Sequence, residues 1–218
     1  MSDMDITILS SSKEHPVYPY LEKWIIQYSN QHRISLFNES SQVTTGDFLF
    51  LISCTEIIKK NIRDRFKHTL VVHASDLPKG RGWSPHIWQI LEGSNKITVS
   101  LLEAVDKFDE GDIWKKENIV LEGHELFFEI NEKLFTITTK LMDFAIRNPN
   151  LKPTPQSQEG ISYYSKRQPS DSELDPKKTI SEQFNLLRVA DEKRYPCFFY
   201  FKDQKFKLTL KKIKENET

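Results

Sequence analysis

Short apolar runs separated by polar, turn-prone stretches dominate the first hundred residues. Residues 6–9 form one such run, closed by Ser10, Ser11 and Ser12; residues 34–37, 48–52 and 70–72 are others. Continuous rather than alternating apolar runs of this length suit strands buried on both faces. Between them the period changes to that of a helix. Leu21, Trp24, Ile25 and Tyr28 fall on one face of a segment over residues 20–28. Thr55 stands where it caps a further helix with Ile57, Ile58 and Ile62 as its inner stripe. Residues 84–91 predict another helix, with Pro85 in its first turn. Residues 97–101 read as a strand with Thr98 and Ser100 facing outward. A long amphipathic pattern over residues 125–146 predicts a helix that stops before Asn148-Pro149. Strands alternating with helices predict an α/β fold with a mainly parallel sheet.

Residues 148–157 contain Pro149, Pro153 and Pro155 and read as a linker. Beyond it, Thr179-Ile180-Ser181-Glu182 is a capping box that opens a helix through Ala190. Residues 197–201 and 205–210 read as the strands of a hairpin. In the second, Phe206, Leu208 and Leu210 alternate with Lys207 and Thr209, which predicts one buried face. The expected organisation is a main domain over residues 1–150 and a small C-terminal unit, 151–218, of linker, helix and β-hairpin.

Composition narrows the class. The chain has 218 residues, 38% hydrophobic and 28% charged, a globular balance. Its 31 basic and 31 acidic residues cancel. That argues against a broad nucleic-acid footprint, which needs excess Lys and Arg. Lys202, Lys205, Lys207, Lys211, Lys212 and Lys214 cluster late in the chain and read as a solvated edge strand and tail. Cys54 and Cys197 form neither a metal-type spacing nor a disulfide framework. Residues 1–12 lack a basic region followed by an apolar core, and no apolar run reaches a membrane span. The expectation is a cytoplasmic protein with neither membrane nor nucleic acid as partner.

The candidate chemistry lies in Val71-Val72-His73-Ala74-Ser75-Asp76-Leu77-Pro78-Lys79-Gly80-Arg81-Gly82-Trp83-Ser84-Pro85. The strand ends near His73, so the imidazole lies at the carboxyl edge of the sheet, where open α/β sheets bind ligands. Lys79 and Arg81 follow, beside glycines that let backbone approach a ligand. Further on, Asp109-Glu110-Gly111-Asp112 is a carboxylate cluster at a tight turn. A lone strand-end histidine or a lone acidic turn is usually structural. Meeting at one sheet edge, a His and an Asp can exchange protons with a reacting amine.

His73, Ser75, Leu77, Pro78, Arg81, Gly82, Pro85, Trp88, Asp109, Gly111 and Asp112 follow a known pattern position by position. It reads Asn-x-His-x-Ser-x-Leu-Pro, then Arg-Gly, then Pro and Trp, and later Asp-x-Gly-Asp. The chain thereby resembles the folate-dependent formyltransferases. The resemblance implies a Rossmann-like formyltransferase core, a formyl donor in 10-formyltetrahydrofolate, an amine acceptor and no metal. It assigns catalysis to His73 and Asp109. It sets the pterin ring against the strand end at Ser53, Cys54 and Thr55, and against Val105, Asp106, Lys107 and Phe108, with Asp112 nearby. Cys54 by itself reads as a small buried hydrophobe. The family's third catalytic group is an Asn, and its position holds Val71. Losing one oxyanion-type donor typically costs about a hundred- to a thousandfold in rate. Two alternatives follow: an active enzyme in which His73 or Ser75 supports the oxyanion, or a catalytically degenerate homologue that binds nucleotide sugar or folate.

Within the family, Tyr163-Tyr164-Ser165-Lys166-Arg167-Gln168-Pro169-Ser170-Asp171 and Asn185-Leu186-Leu187-Arg188 resemble the sugar N-formyltransferases. The branch with a larger RNA-binding C-terminal domain and the branch that opens on a Gly-rich phosphate loop are less similar; the first turn here is Ser10-Ser11-Ser12-Lys13. The run ending at Pro85 is most similar to the pseudaminic-acid pathway type. That type formylates the 4-amino group of a UDP-linked 2-acetamido-4-amino-2,4,6-trideoxy-L-altrose. The implied partner is a nucleotide-linked amino sugar. Lys79 and Arg81 are the candidates for its diphosphate, Trp83 for stacking, and Ser75 for a polar contact. Asn185 and Arg188, three apart on one helix face, either touch substrate or tie the small unit to the core. The oligomeric state, a homodimer included, stays open.

Overall fold

The computed structural model describes residues 3–213. In chain order the elements are β1 (Asp5–Leu9), α1 (Tyr18–Tyr28), β2 (Arg33–Phe37), β3 (Gly46–Leu51), α2 (Lys60–Arg63), β4 (Phe66–His73) and β5 (Arg81–Gly82). Then come α3 (Pro85–Leu91), β6 (Lys96–Glu103), β7 (Ile113–Val120), α4 (Phe127–Arg147) and β8 (Tyr163–Tyr164). α5 (Phe184–Arg188), β9 (Cys197–Phe201) and β10 (Gln204–Leu208) close the described chain.

Six strands form one sheet in the order β2-β1-β3-β4-β6-β7. The first four run parallel, while β6 and β7 are antiparallel to their neighbours. This is a Rossmann-like mixed α/β architecture with a mainly parallel sheet. Alternation along β1, β3 and β4 sends Ile6, Ile8, Phe48, Phe50 and Leu70 to one face. There they pack under α1 and α4 through Leu21, Trp24, Tyr28, Ile130, Leu134 and Leu141. The opposite face gathers Leu9, Leu49 and Leu51 with Val43, Ile58 and Phe66. Trp24 Nε1 donates to Asp143 Oδ1 at 2.7 Å, so the polar tip of a buried indole is satisfied between α1 and α4.

Several expectations fail locally. No helix starts at Thr55: its amide donates to Ser11 Oγ at 2.8 Å, Ser53 adopts φ +50, and Ile57 is exposed. Only the four residues of α2 are helical, and the loop before them lines the site described below. β7 was not foreseen, because an edge strand carrying Lys115, Lys116 and Glu117 lacks the apolar density of a buried one. Ser100 does not face outward; it is fully buried and donates to Ser75 O at 2.7 Å.

The segment read as a linker is docked. Thr154 pairs with Ile113, Gln156 is buried, and β8 pairs in parallel with β5. The capping box at Thr179 and Glu182 forms, but it opens a 3-10 turn, Ser181–Gln183, before the short α5. β9 and β10 are joined through Lys202 and Asp203, both at positive φ, the geometry of a two-residue hairpin turn. Phe206 stays half exposed, so β10 buries less than its alternation suggests. Lys214 lies outside the described residues.

Candidate active site

β4 delivers His73 at its last position, buried at the carboxyl edge of the sheet. Its Nε2 lies 2.8 Å from Gly80 O, and its Nδ1 lies 3.3 Å from Asp109 Oδ1. Both nitrogens therefore face acceptors, and a ring with hydrogens on both donates to both. Asp109 comes from the loop after β6. It adopts φ +56, a left-handed conformation that Asp tolerates better than most residues. Its other oxygen, Oδ2, accepts the Gly82 amide at 2.9 Å. The loop of residues 80–82 thus holds both partners, His73 through Gly80 O and Asp109 through Gly82 N.

The pair borders a cavity of about 740 Å³. Its lining residues come from both faces of the sheet, and β4 contributes alternately to each. Val71 and His73 share one side of that strand with Cys54 and Ala104 nearby; Val72 and Ala74 take the other. One set of walls is Leu51 to Ile58 and Glu103 to Asp109, which brings together Ser53, Cys54, Thr55, Val105, Asp106, Lys107 and Phe108. Arg63 ties these two loops by donating to Ile58 O and to Asp106 Oδ1, both at 2.5 Å. Burial pushes the Cys54 thiol up, away from the reactive thiolate. Asp112 is absent from this wall; its carbonyl accepts the Glu103 amide at 2.9 Å and joins the loop's stem.

The second set of walls comes from α3, α4, the loop before α1 and the C-terminal segments. It includes His15, His86, Asn131, Phe135, Lys166, Arg167, Asp191, Arg194 and Tyr195. Burial, with the nearby cationic groups, drives His86 down to about 3 and His15 to about 4, so both are neutral around pH 7. Arg167 donates to Ser172 Oγ at 2.9 Å and lies over the Tyr195 ring at 4.8 Å. Arg194 pairs with Asp191 at 2.5 Å. Lys166 sits 5.2 Å from the centre of the Trp83 ring.

The sequence-expected acceptor contacts are redistributed. Trp83 and Arg81 line the cavity, but the Arg81 guanidinium is already engaged by Gln156 at 3.0 Å, Glu110 at 3.0 Å and Tyr163 at 3.3 Å. Lys79 is exposed and lies outside the cavity. Ser75 is buried, its carbonyl accepting from Ser100, and does not line the cavity. Asn185 and Arg188 do not reach it. Arg188 is 1% exposed, donates to Asn95 Oδ1 at 2.8 Å and lies 3.8 Å from Glu125, which pins α5 to the core. The groups missed from sequence, His15, His86, Asn131 and Arg194, come from separate segments with no shared spacing. Lys166 and Arg167 did have a signal, their place in the Tyr163 motif. Among the described residues no group of three or more His, Cys, Asp or Glu is placed to hold a metal ion. Nor is any helix long and apolar enough to cross a membrane.

The formyl transferase family model matches residues 6–143. A methionyl-tRNA formyltransferase of Finegoldia magna is 35% identical over 101 residues, 46% of this chain and 33% of that protein. The chain spans between a third and a half of the length of the curated relatives it matches. Among solved structures, methionyl-tRNA formyltransferase from Clostridium thermocellum superposes with TM-score 0.82 at 21% identity, covering 97% of this chain and 94% of that one. HypX from Aquifex aeolicus, in complex with tetrahydrofolic acid, gives 0.76 at 18%, covering 96% and 38%. A 4-N formyltransferase from Francisella tularensis gives 0.72 at 17%, covering 97% and 98%. At these identities the structures share the fold.

Proposed function

Because the chain belongs to the formyl transferase family, we propose that it moves a formyl group from 10-formyltetrahydrofolate to the amino group of a nucleotide-linked amino sugar. The observation that carries this reading is the His73–Asp109 pair, buried at a sheet edge and bordering a cavity with two chemically different walls. Donor binding is supported by the loops tied through Arg63. They offer backbone groups beside apolar surface at Ile57, Val105 and Phe108, which suits a flat heterocycle. The acceptor reading is supported by the opposite wall, where Lys166, Arg167 and Arg194 gather with Asp191 as the acidic group among them. Charge-assisted bonds of this kind suit a diphosphate. The neutral His15 and His86 suit sugar hydroxyls. The UDP-linked L-altro sugar of the pseudaminic-acid type rests on the sequence run ending at Pro85.

The donor supplies an activated formyl carbon. A free amine attacks it, forming a new N–C bond and turning the carbonyl oxygen into an oxyanion. Asp109 takes the proton of the attacking nitrogen, directly or through water. His73, held by Gly80 O, orients that carboxylate. When protonated, the imidazole also stabilises the oxyanion in the absence of an amide at position 71. When the bond from carbon to the donor's nitrogen breaks, the proton passes to the departing nitrogen, so the pair returns to its starting state. In this arrangement Nε2 is engaged by Gly80 O.

A second reading takes methionyl-tRNA as acceptor, and the relatives' names favour it. A panel of nucleotide-linked 4-amino sugars and methionyl-tRNA, incubated with the folate donor and read by mass spectrometry, separates the two. A mass increase of one formyl group on an amino sugar supports the proposal. Formylation of the tRNA alone replaces the sugar with tRNA. No product from any acceptor leaves a binding-only homologue.

A further inference from the structure

The docked segment after α4 acts on both loops that hold His73 and Asp109. Gly80 N donates to Ser162 Oγ at 2.9 Å, Arg81 N to Ser162 O at 2.9 Å, and Trp83 N to Tyr164 O at 3.1 Å. The approach is close enough that a Cβ at Gly82 would lie 2.4 Å from Tyr164 O. Eight residues before Tyr164, Gln156 is buried against the other loop. Its Nε2 donates to Asp109 O at 2.8 Å and to Gly111 O at 2.7 Å, while its Oε1 accepts from Arg81 Nη2 at 3.0 Å. All three bonds fix the amide's orientation, since the flipped form would aim an oxygen at two carbonyls. Gln156 thus engages both loops from the docked segment, as His73 engages both from the end of β4.

We propose that Gln156 is a positioning residue for formyl transfer: it holds the left-handed Asp109 peptide and the Arg81 loop in register, so that the Asp109 carboxylate meets His73. The inference rests on the transfer reading above. A non-glycine residue at φ +56 persists only where its surroundings over-determine it. Here the restraint is direct, because the carbonyl that Gln156 grips belongs to Asp109 itself. Releasing it lets the Asp109 peptide rotate, and a carboxylate displaced by about an ångström costs on the order of a hundredfold in rate.

The test compares Gln156→Glu with Gln156→Leu. The carboxylate of the first keeps a partner for Arg81 but loses both donors, and the leucine loses everything. Positioning predicts that kcat falls about tenfold to a hundredfold in both. Donor affinity stays within about threefold, because Arg63 and the Glu103–Asp112 bond hold the donor loops independently. It also predicts that the ring nitrogen NMR shifts of His73 move in the ligand-free Gln156→Glu protein, even where its melting temperature is near wild type. Normal kcat in a folded Gln156→Glu protein, or unchanged His73 shifts, overturns the proposal. If the wild-type protein transfers no formyl group, the transfer reading fails by itself, and the His73 shifts alone decide whether Gln156 sets the pair's geometry.

Discussion

Val71 and His73 are two residues apart on β4 and so share one side of the strand. Val71 packs with the apolar cluster of Leu49, Leu51 and Ile58 and also lines the cavity. A polar amide there would sit against the reacting carbonyl at the cost of an apolar contact. We expect Val71→Asn to keep transfer activity and to raise the single-turnover rate, while lowering stability by about 1–3 kcal/mol if the amide lacks a second partner. Thermal melts and rapid-quench kinetics on the same preparation check both parts; a rate unchanged from wild type would mean that position 71 does not face the oxyanion. At this scale the sequence was informative about His73 and Asp109, whose order along the chain marks one sheet edge. It was silent on Arg194 and Asn131, because residues converging from distant segments leave no local pattern. It was silent too on the Glu110 and Gln156 that engage Arg81, because a cation beside glycines gives no sign of its partners.

Elements meet at backbone distance around the acidic loop. A Cβ on Gly111 would lie 1.8 Å from Glu103 O, so no side chain fits unless the loop parts from the end of β6. Gly111→Ala should lower the melting temperature by several degrees and abolish most activity, since the same loop carries Asp109. Gly93, whose added Cβ meets nothing within 4 Å, is the comparison: Gly93→Ala bears only the strain of φ +92 and should leave activity intact. Calorimetry on both variants decides it, and an undisturbed Gly111→Ala protein would contradict the packing described. The parallel strands were legible because continuous apolar runs have few other uses. The loop at residues 53–59 was not, because three isoleucines at helical spacing mimic a buried stripe while Ile57 in fact borders the cavity. The strap of residues 154–164 was hidden by Pro153 and Pro155 at its start, which favour extended chain whether or not that chain is docked.

For the whole molecule, acid should weaken the fold in two stages. His15 and His86 have folded values near 4 and 3, below the ordinary 6.5, so the unfolded chain binds their protons more readily. Their contribution is present above about pH 6.5 and is lost as pH falls toward those values. Glu125 loses solvation on burial, but Lys133 and the Glu122 and Gly123 amides outweigh that and hold it at about 2. Its share, on the order of 3 kcal/mol, is present above about pH 4.5 and lost between there and 2. Denaturant melts across pH 7 to 4 should decline from about 6.5 downward, and replacing both histidines by Asn should flatten the first stage; stability rising as the pH is lowered would contradict the sign. The chemistry is reached by single-turnover formyl transfer from a labelled folate donor, comparing wild type with Asp109→Asn and His73→Asn while calorimetry follows donor binding. Both variants should bind donor within about threefold of wild type yet lose about a hundred- to ten-thousandfold in the transfer step. Near-normal transfer by either variant, in a folded protein that binds donor, would contradict the roles given to His73 and Asp109.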